Sequence, residues 1–402
     1  MRVLIVNSFD IQGGAARATY RLHQALLTQN IDSKMLVQYK DSDDSTVLGP
    51  CSKIDKLINA LRPRLDSIPF RLSKSKASAL FSHSWLPSGK LIKKINKLNP
   101  DVVHLHWINA GMLRIEDLAK INAPIVWSLH DLWPLNGGWH YDELLVSPYH
   151  KWLNDRILRR KKNTYLKIKN MTVIGVSQWL KTCARTSTIF GNKNIISLPN
   201  PLDTEVYKPL EKKYSREAWN LPKGKKIILF GAMSAESDPR KGFKELLNAL
   251  SKLKIDDTEL VVFGSTRPKS PPNIGCQIHY MGNLSDDISL ATLYSAVDVM
   301  IVPSRQEAFG QTASEAMACG VPVVAFGHTG LLDIIDHKRN GYLAKPFDID
   351  DLVEGIKFVL DADNYSELSQ MAREKVLREF DSQVVVRKYI NVYEKVIEGS
   401  NV

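Results

Sequence analysis

The chain is short of cysteine, has no long apolar run and carries no complete dinucleotide fingerprint, and each shortage removes a class of protein. Its four cysteines, Cys51, Cys183, Cys276 and Cys319, stand far apart without Cys-x-x-Cys spacing. Neither a zinc site nor a disulfide framework is indicated, and a reducing compartment suits them. No apolar run approaches the ~20 residues that a spanning helix needs. The first residues, Met1-Arg-Val-Leu-Ile-Val-Asn7, read as a strand and lack the form of a signal peptide. Together these features point to a cytoplasmic protein. Acids are also scarce relative to bases, 43 against 54, for a formal net charge of +11. That excess asks for an anionic partner: nucleic acid, lipid or a phosphorylated substrate. Aromatic stacking platforms and recognised nucleic-acid modules are missing, which leaves no nucleic acid among the expected partners.

What is present is an ordinary globular composition, 44% hydrophobic and 24% charged, in 402 residues. That length exceeds one comfortable core, so two domains are expected. Strand and helix patterns alternate along the chain. Val3-Leu-Ile-Val6 leads into Gln12-Gly-Gly-Ala-Ala-Arg17 and an amphipathic helix, the first unit of a doubly wound sheet. Gly13 and Gly14 are less than a full GxGxxG and read either as a ligand contact or as a plain tight turn. Pro100-Asp-Val-Val-His-Leu-His106 and Pro124-Ile-Val-Trp-Ser-Leu-His130 are buried strands that each end in histidine. His130 lies where open α/β sheets bind ligands, although a lone histidine there is more often structural. His106-Trp107 either lines an acceptor pocket or packs. Ser177 is the expected N-cap of the helix that starts at Gln178.

Pro199, Pro201 and Pro209 mark a stiffened connection, after which the alternation restarts. We place the domains at 1–200 and 201–381, with a last helix, 382–402. Two stretches, 53–97 and 151–169, combine Lys and Arg with apolar residues at helical spacing. The first carries Ile54, Leu57, Ile58 and Leu61; the second carries Trp152, Ile157, Leu158, Tyr165 and Leu166. Each reads as a face for an anionic membrane or as a solvated helix over the sheet. Asp348-Ile-Asp350 has the form of a metal-binding DxD, but at a helix start capping explains it better, so no bound metal is expected.

The stretch with the most chemistry is Glu307-Ala-Phe-Gly-Gln-Thr-Ala-Ser-Glu315. It follows the apolar run Val297-Asp-Val-Met-Ile-Val-Pro303 and opens a helix over Gln311 to Ala318. Phe309, Gly310, Gln311 and Thr312 supply first-turn N–H groups without intrahelical partners. Such groups, with the positive helix end, suit a phosphate. Gly310 lets the backbone come close. Glu307 precedes the helix and Glu315 lies a turn inside it, so a bound diphosphate would have a carboxylate on each side. In Asp238-Pro-Arg-Lys-Gly242, Arg240 and Lys241 bring two cations to another helix start.

These residues carry a resemblance. The Glu307 to Glu315 segment resembles the E-x7-E motif of the retaining glycosyltransferases of family 4. The likeness continues through Cys319-Gly-Val-Pro-Val-Val-Ala325, Gly327-His-Thr-Gly330 and Asn340-Gly-Tyr-Leu343. The resemblance implies the GT-B fold: two facing Rossmann-like domains, an interdomain cleft and a C-terminal helix that crosses back to the first domain. It implies transfer of a hexose-type sugar from a nucleotide-sugar, UDP- or GDP-linked, with retention and without a cofactor. His130 and Glu307 then meet the transferred sugar. Gly13, Gly14, Arg240, Lys241, Met281, Phe309, Gly310, Gln311, Thr312 and Glu315 line the donor, with the backbone at Met281 beside the base. Many relatives carry an Arg where this chain has Ala232, which shifts the phosphate charge onto Arg240, Lys241 and the helix amides, with Arg305 as a substitute. The acceptor fits an undecaprenyl-diphosphate-linked glycan of surface polysaccharide assembly (O-antigen, capsule or exopolysaccharide), reached from the inner face of an anionic membrane. A sugar-nucleotide epimerase of the same architecture and a non-catalytic nucleotide- or nucleic-acid-binding protein are the alternatives.

Overall fold

A computed structural model describes residues 1–72, 80–141, 147–233, 235–253 and 257–399. The chain divides into two compact units, Met1–Pro201 with Val385–Val402, and Leu202–Val384. In the first, seven strands form one parallel sheet: β1 (Arg2–Phe9), β2 (Asp32–Tyr39), β3 (Val47–Leu48), β4 (Val102–Leu105), β5 (Ile125–Leu129), β6 (Met171–Gly175) and β7 (Asn194–Ser197). Their order is β3-β2-β1-β4-β5-β6-β7. The direction of winding reverses between β1 and β4, where Val3 pairs with Val102 and Ile5 with His104. Strands β4, β5 and β6 are buried along their whole length, the mark of a parallel sheet covered on both faces.

The second unit repeats the plan with six strands: β8 (Lys226–Gly231), β9 (Thr258–Phe263), β10 (Ile278–Tyr280), β11 (Val299–Val302), β12 (Val323–Phe326) and β13 (Gly341–Ala344). Their order, β10-β9-β8-β11-β12-β13, puts its reversal between β8 and β11. A crevice at the carboxyl ends of the strands on either side of such a reversal is the ligand site of doubly wound sheets. Both units are therefore Rossmann-like, as the alternation of elements in the sequence leads one to expect.

The helix Ser382–Glu398 packs into the first unit. Val385, Val386, Tyr389 and Tyr393 join the core made by Val3, Ile5, Leu22, Leu26 and Val126. Helix starts follow their side chains closely. Ser177 accepts the N–H of Leu180, and Asp348 accepts those of Asp350 and Asp351. The second of these caps takes up the aspartate of the DxD-like triplet.

The two basic stretches behave differently. In the helix Lys53–Asp66 the only buried residue is Asp66, while Ile54, Leu57, Ile58, Leu61 and Leu65 are exposed, Ile54 to 70%. Residues 73–79 of that stretch lie outside the described residues, and Leu86 within it is buried. The helix Pro148–Tyr165 takes the second of the two readings given for its stretch, a helix laid over the core. Its apolar residues Leu153, Ile157 and Tyr165 face the core, Arg160 grips Glu116 at 2.6 Å, and Lys161 is wholly buried, donating to the carbonyls of Trp133, Asn136 and Gly137. Periodicity alone does not tell a covered apolar face from a bare one. Here the face is covered, and only Tyr149, Trp152 and Leu166 remain exposed.

Candidate active site

In the second unit two loops leave the sheet at its reversal and meet. The loop after β8 ends in a short 3-10 turn, Pro239–Lys241, capped by Asp238, whose side chain accepts the N–H of Arg240. The loop after β11 runs through Ser304 to Glu307. Arg305 donates its N–H to the carbonyl of Arg240 at 2.7 Å, which ties the loops together. Lys241 Nζ then lies 2.5 Å from Glu307 Oε1, with both side chains partly exposed. Ser304 donates to the same oxygen at 3.0 Å, while Oε2 has no partner among the described residues. Backbone bonds fix the loop: Glu307 N–H to Thr329 Oγ1 at 3.0 Å, and Gly330 N–H to Glu307 O at 2.9 Å. Thr329 holds φ at 54°, a conformation that β-branched residues avoid, so this support is strained.

The helix Gln311–Ala318 begins at Gly310, whose φ is 107°. A side chain there would be strained, and its Cβ would also come within 2.8 Å of Leu331 Cδ2. The first N–H groups of the helix therefore open beside Lys241 and Glu307. A small, partly open pocket is lined by Ala232, Lys241, Ser304, Glu307 and Thr312 together with Phe230, Gly231, Ile301 and Val302. Lys241 and a helix amino end beside this pocket, with Arg240 next in sequence, have the chemistry of an anion cradle. Both cations are engaged: Lys241 by Glu307, Arg240 by Asp238 at 2.5 Å. Arg305, the candidate substitute for the missing arginine at Ala232, pairs with Glu245 at 2.7 Å.

Glu315 is buried, 4% exposed, and accepts the hydroxyl of Tyr294 at 2.9 Å. It does not lie on a solvated helix face. Burial and the charge of Glu315 push the Tyr294 phenol well up, so it stays a donor. Phe309 is buried with its ring edge-on to Phe380, so its side chain is core and only its backbone is free to serve a ligand. Gln311 is the first residue of the helix. Met281, just past β10, spends its N–H on Val262 O at 2.8 Å, which leaves its carbonyl for a neighbour. Among the described residues no group of three or more His, Cys, Asp or Glu could hold a metal ion.

In the first unit, Gly13 and Gly14 follow β1. Gly13, at φ 91°, caps the helix Gly14–Thr28, while a Cβ on Gly14 would meet nothing within 4 Å. The turn thus demands the first glycine, and the second leaves open space at a helix amino end. His106 and His130 follow β4 and β5 and share a hydrogen bond, His106 Nδ1 to His130 Nε2 at 2.9 Å. His104 sits deeper, between Tyr393 at 2.7 Å and Ser128 at 2.9 Å. Burial pushes His130 down to about 4 and His104 down to about 3, so both are neutral near pH 7.

Sequence reasoning missed a second network beside them. Asp131 accepts from His140 Nδ1 at 2.6 Å, from the Trp107 indole at 2.8 Å and from the Trp133 N–H at 2.9 Å. His140 in turn meets Ser82 at 2.8 Å. Burial would raise the Asp131 carboxyl, but His140 and these donors outweigh it and hold it below the ordinary carboxylate range. The chain Ser82, His140, Asp131 has the connectivity of a nucleophile relay, yet all three are buried. It braces the backbone next to His130. The sequence signal was slight, since Trp139-His140 sits in a stretch that reads as a glycine turn.

Two Rossmann-like units, one with a lysine and a helix amino end at the reversal of its sheet, are an architecture of ligand-binding enzymes. Comparison with known proteins narrows this. Residues 12–206 match the family described as Glycosyltransferase Family 4, and residues 211–376 match Glycosyl transferases group 1. The chain is 24% identical over 400 residues to phosphatidyl-myo-inositol mannosyltransferase of Mycolicibacterium smegmatis, covering 97% of this chain and 92% of that protein. It spans about half the length of other curated relatives, 53% of one and 55% of another. Among solved structures it resembles sucrose-phosphate synthase of Thermosynechococcus elongatus, with a TM-score of 0.70 at 19% identity, covering 99% of this chain and all of that one. It also resembles HepE of Anabaena in complex with UDP-glucose, with a TM-score of 0.67 at 16% identity, covering 98% of this chain and all of that one. The chain belongs to the family 4 glycosyltransferases, and its fold is GT-B.

Proposed function

We propose that this protein is a retaining, metal-independent hexosyltransferase that moves a sugar from a nucleoside-diphosphate donor to a hydroxyl of a lipid-linked glycan. The observation that carries the reading is the cavity where Lys241, Glu307 and Thr312 converge on the amino end of a helix, with Glu315 buried inside that helix. In this reading the diphosphate takes Lys241, Arg240 and the first-turn amides, which also stabilise charge that grows as the sugar leaves. Glu315 accepts from the ribose hydroxyls. Glu307, released from Lys241, grips sugar hydroxyls. His130 and the Gly13-Gly14 turn serve the sugar and acceptor side. The leaving phosphate assists deprotonation of the acceptor on the same face, which gives retention.

The UDP-glucose complex of HepE supports a nucleotide-sugar donor, and the lipid named in the mannosyltransferase relative supports an amphiphilic acceptor. The bare apolar stripe Ile54, Leu57, Ile58, Leu61 and Leu65, beside Lys53, Lys56 and Arg64, supports docking on the inner, anionic face of a membrane. The pathway that fits is surface polysaccharide assembly: O-antigen, capsule or exopolysaccharide on an undecaprenyl-diphosphate carrier. Among the described residues no helix is long and apolar enough to cross a membrane. A thermal-shift panel of UDP-, GDP- and ADP-sugars tests the core of the reading. One nucleotide series should stabilise the wild type and fail to stabilise Glu315→Ala. A panel without any response, or an equal response in the variant, refutes it.

A further inference from the structure

The hydrogen bond between His106 and His130 fixes more than their separation. Their rings are stacked at 5.2 Å, and His106 Nδ1 lies 2.9 Å from His130 Nε2, so one of these atoms carries the shared hydrogen. Burial holds both rings neutral, which gives each a single proton to place. If His130 donated from Nε2, the proton of His106 would sit on its own Nε2. That atom is buried and has no hydrogen-bond partner. The adjoining ring of His104, 4.1 Å away between centroids, cannot supply one, because its two nitrogens are already taken by Tyr393 and Ser128. A stranded N–H would therefore be locked in the interior, and unpaired buried donors are rarer in proteins than unpaired acceptors. If His106 instead donates from Nδ1, its buried Nε2 is a bare ring nitrogen and no donor is stranded. His130 must then carry its own proton on Nδ1. Which ring nitrogen is protonated follows from the bond the other one makes.

We propose that His106 is a positioning residue: by donating from Nδ1 it holds His130 as the Nδ1–H tautomer, so that His130 presents a donor to an oxygen of the transferred sugar. The last clause rests on the reading of His130 given above; the tautomer itself does not. Nδ1 of His130 has no partner among the described residues, so the N–H is available. The backbone beside it is held by the bonds that Asp131 receives from His140, Trp107 and Trp133.

The test is a long-range 15N–1H correlation spectrum of the full chain labelled at histidine, near pH 7.5, with the His130 signals identified by their loss in His130→Gln. His130 should show a protonated Nδ1 and a bare Nε2. The opposite pattern overturns the proposal. His106→Asn, whose amide can donate from the place of Nδ1, should preserve the pattern, whereas His106→Leu should release His130 into a mixture of tautomers. With the nucleotide-sugar that gives the largest thermal shift, His106→Leu should lower kcat about tenfold to a hundredfold with little change in KM, and His106→Asn should recover most of it. An unchanged kcat in His106→Leu beside a depressed one in His130→Gln overturns the positioning role. An unchanged kcat in His130→Gln overturns instead the assignment of His130 to the sugar.

Discussion

In the proposed donor site Lys241 is paired with Glu307, and this makes an unusual prediction for Glu307→Gln. Lys241 Nζ is 2.5 Å from Glu307 Oε1, with side-chain exposures of 21% and 16%, so the pair is neither fully solvated nor sealed. An anion that recruits Lys241 must first draw it away from Glu307. Pairs at a protein surface contribute about 0–1 kcal/mol, so the competition costs a diphosphate roughly 1 kcal/mol, or about fivefold in affinity. Gln keeps the shape and removes the charge. A free nucleoside diphosphate should therefore bind Glu307→Gln about fivefold more tightly than wild type. The intact nucleotide-sugar should not gain, because it loses the carboxylate that meets its hydroxyls. Lys241→Met should weaken both ligands by about tenfold or more, since a charge-assisted hydrogen bond contributes roughly 1.5–3 kcal/mol. Titration calorimetry with UDP and UDP-glucose, or the corresponding pair from the thermal-shift panel, reads the difference. If Glu307→Gln weakens the bare diphosphate as much as Lys241→Met does, Lys241 is not the phosphate cation and the reasoning fails.

Other consequences are equally direct. Tyr294→Phe removes the hydroxyl that serves the buried Glu315 and should lower the stability of the second unit by about 1.5–3 kcal/mol in chemical denaturation; a change below ~0.5 kcal/mol would count against that bond. Gly310→Ala meets Leu331 at 2.8 Å and φ 107°, and should abolish the donor-induced thermal shift. Leu57→Asp with Leu61→Asp should end binding to vesicles containing anionic lipid without lowering Tm, as expected for residues 63% and 45% exposed; retention on those vesicles would refute the docking face. His23, His83 and His104 are buried, with pKa values pushed down to about 4, 4 and 3. The unfolded chain binds protons there from about pH 6.5 downwards while the folded one does not. Their stabilising effect is thus complete above that pH and lost as pH falls through the window towards 4, by on the order of 1 kcal/mol per group per unit. Melting at pH 5 should fall well below melting at pH 7, and less so in His23→Gln.

The alternation of strand and helix was legible in the sequence because each unit repeats a local instruction: an apolar run, a turn, an amphipathic helix. The start of the Gln311–Ala318 helix was legible for the same reason, as glycine and helix formers lie side by side. The supports of the candidate site were not. Tyr294 reaches Glu315 from 21 residues away, and Thr329 reaches Glu307 from 22, through pairings that exist only once the sheet has formed. Lys241 and Glu307 are separated by 66 residues, so the sequence marks both as charged and is silent on their neutralising one another. The fate of Lys161 was equally hidden. A basic residue in a basic helix gives no hint that three carbonyls will enclose it.

The helix Ser382–Glu398 completes the hydrophobic interior that residues near the amino terminus begin. A ribosome therefore finishes the whole second unit before it delivers the segment on which the first one closes. During synthesis the core of Val3, Ile5 and Val126 stays incomplete until Tyr389 and Tyr393 emerge. A stop codon just ahead of Val385 would spare the later-made Rossmann unit and unsettle the one made first.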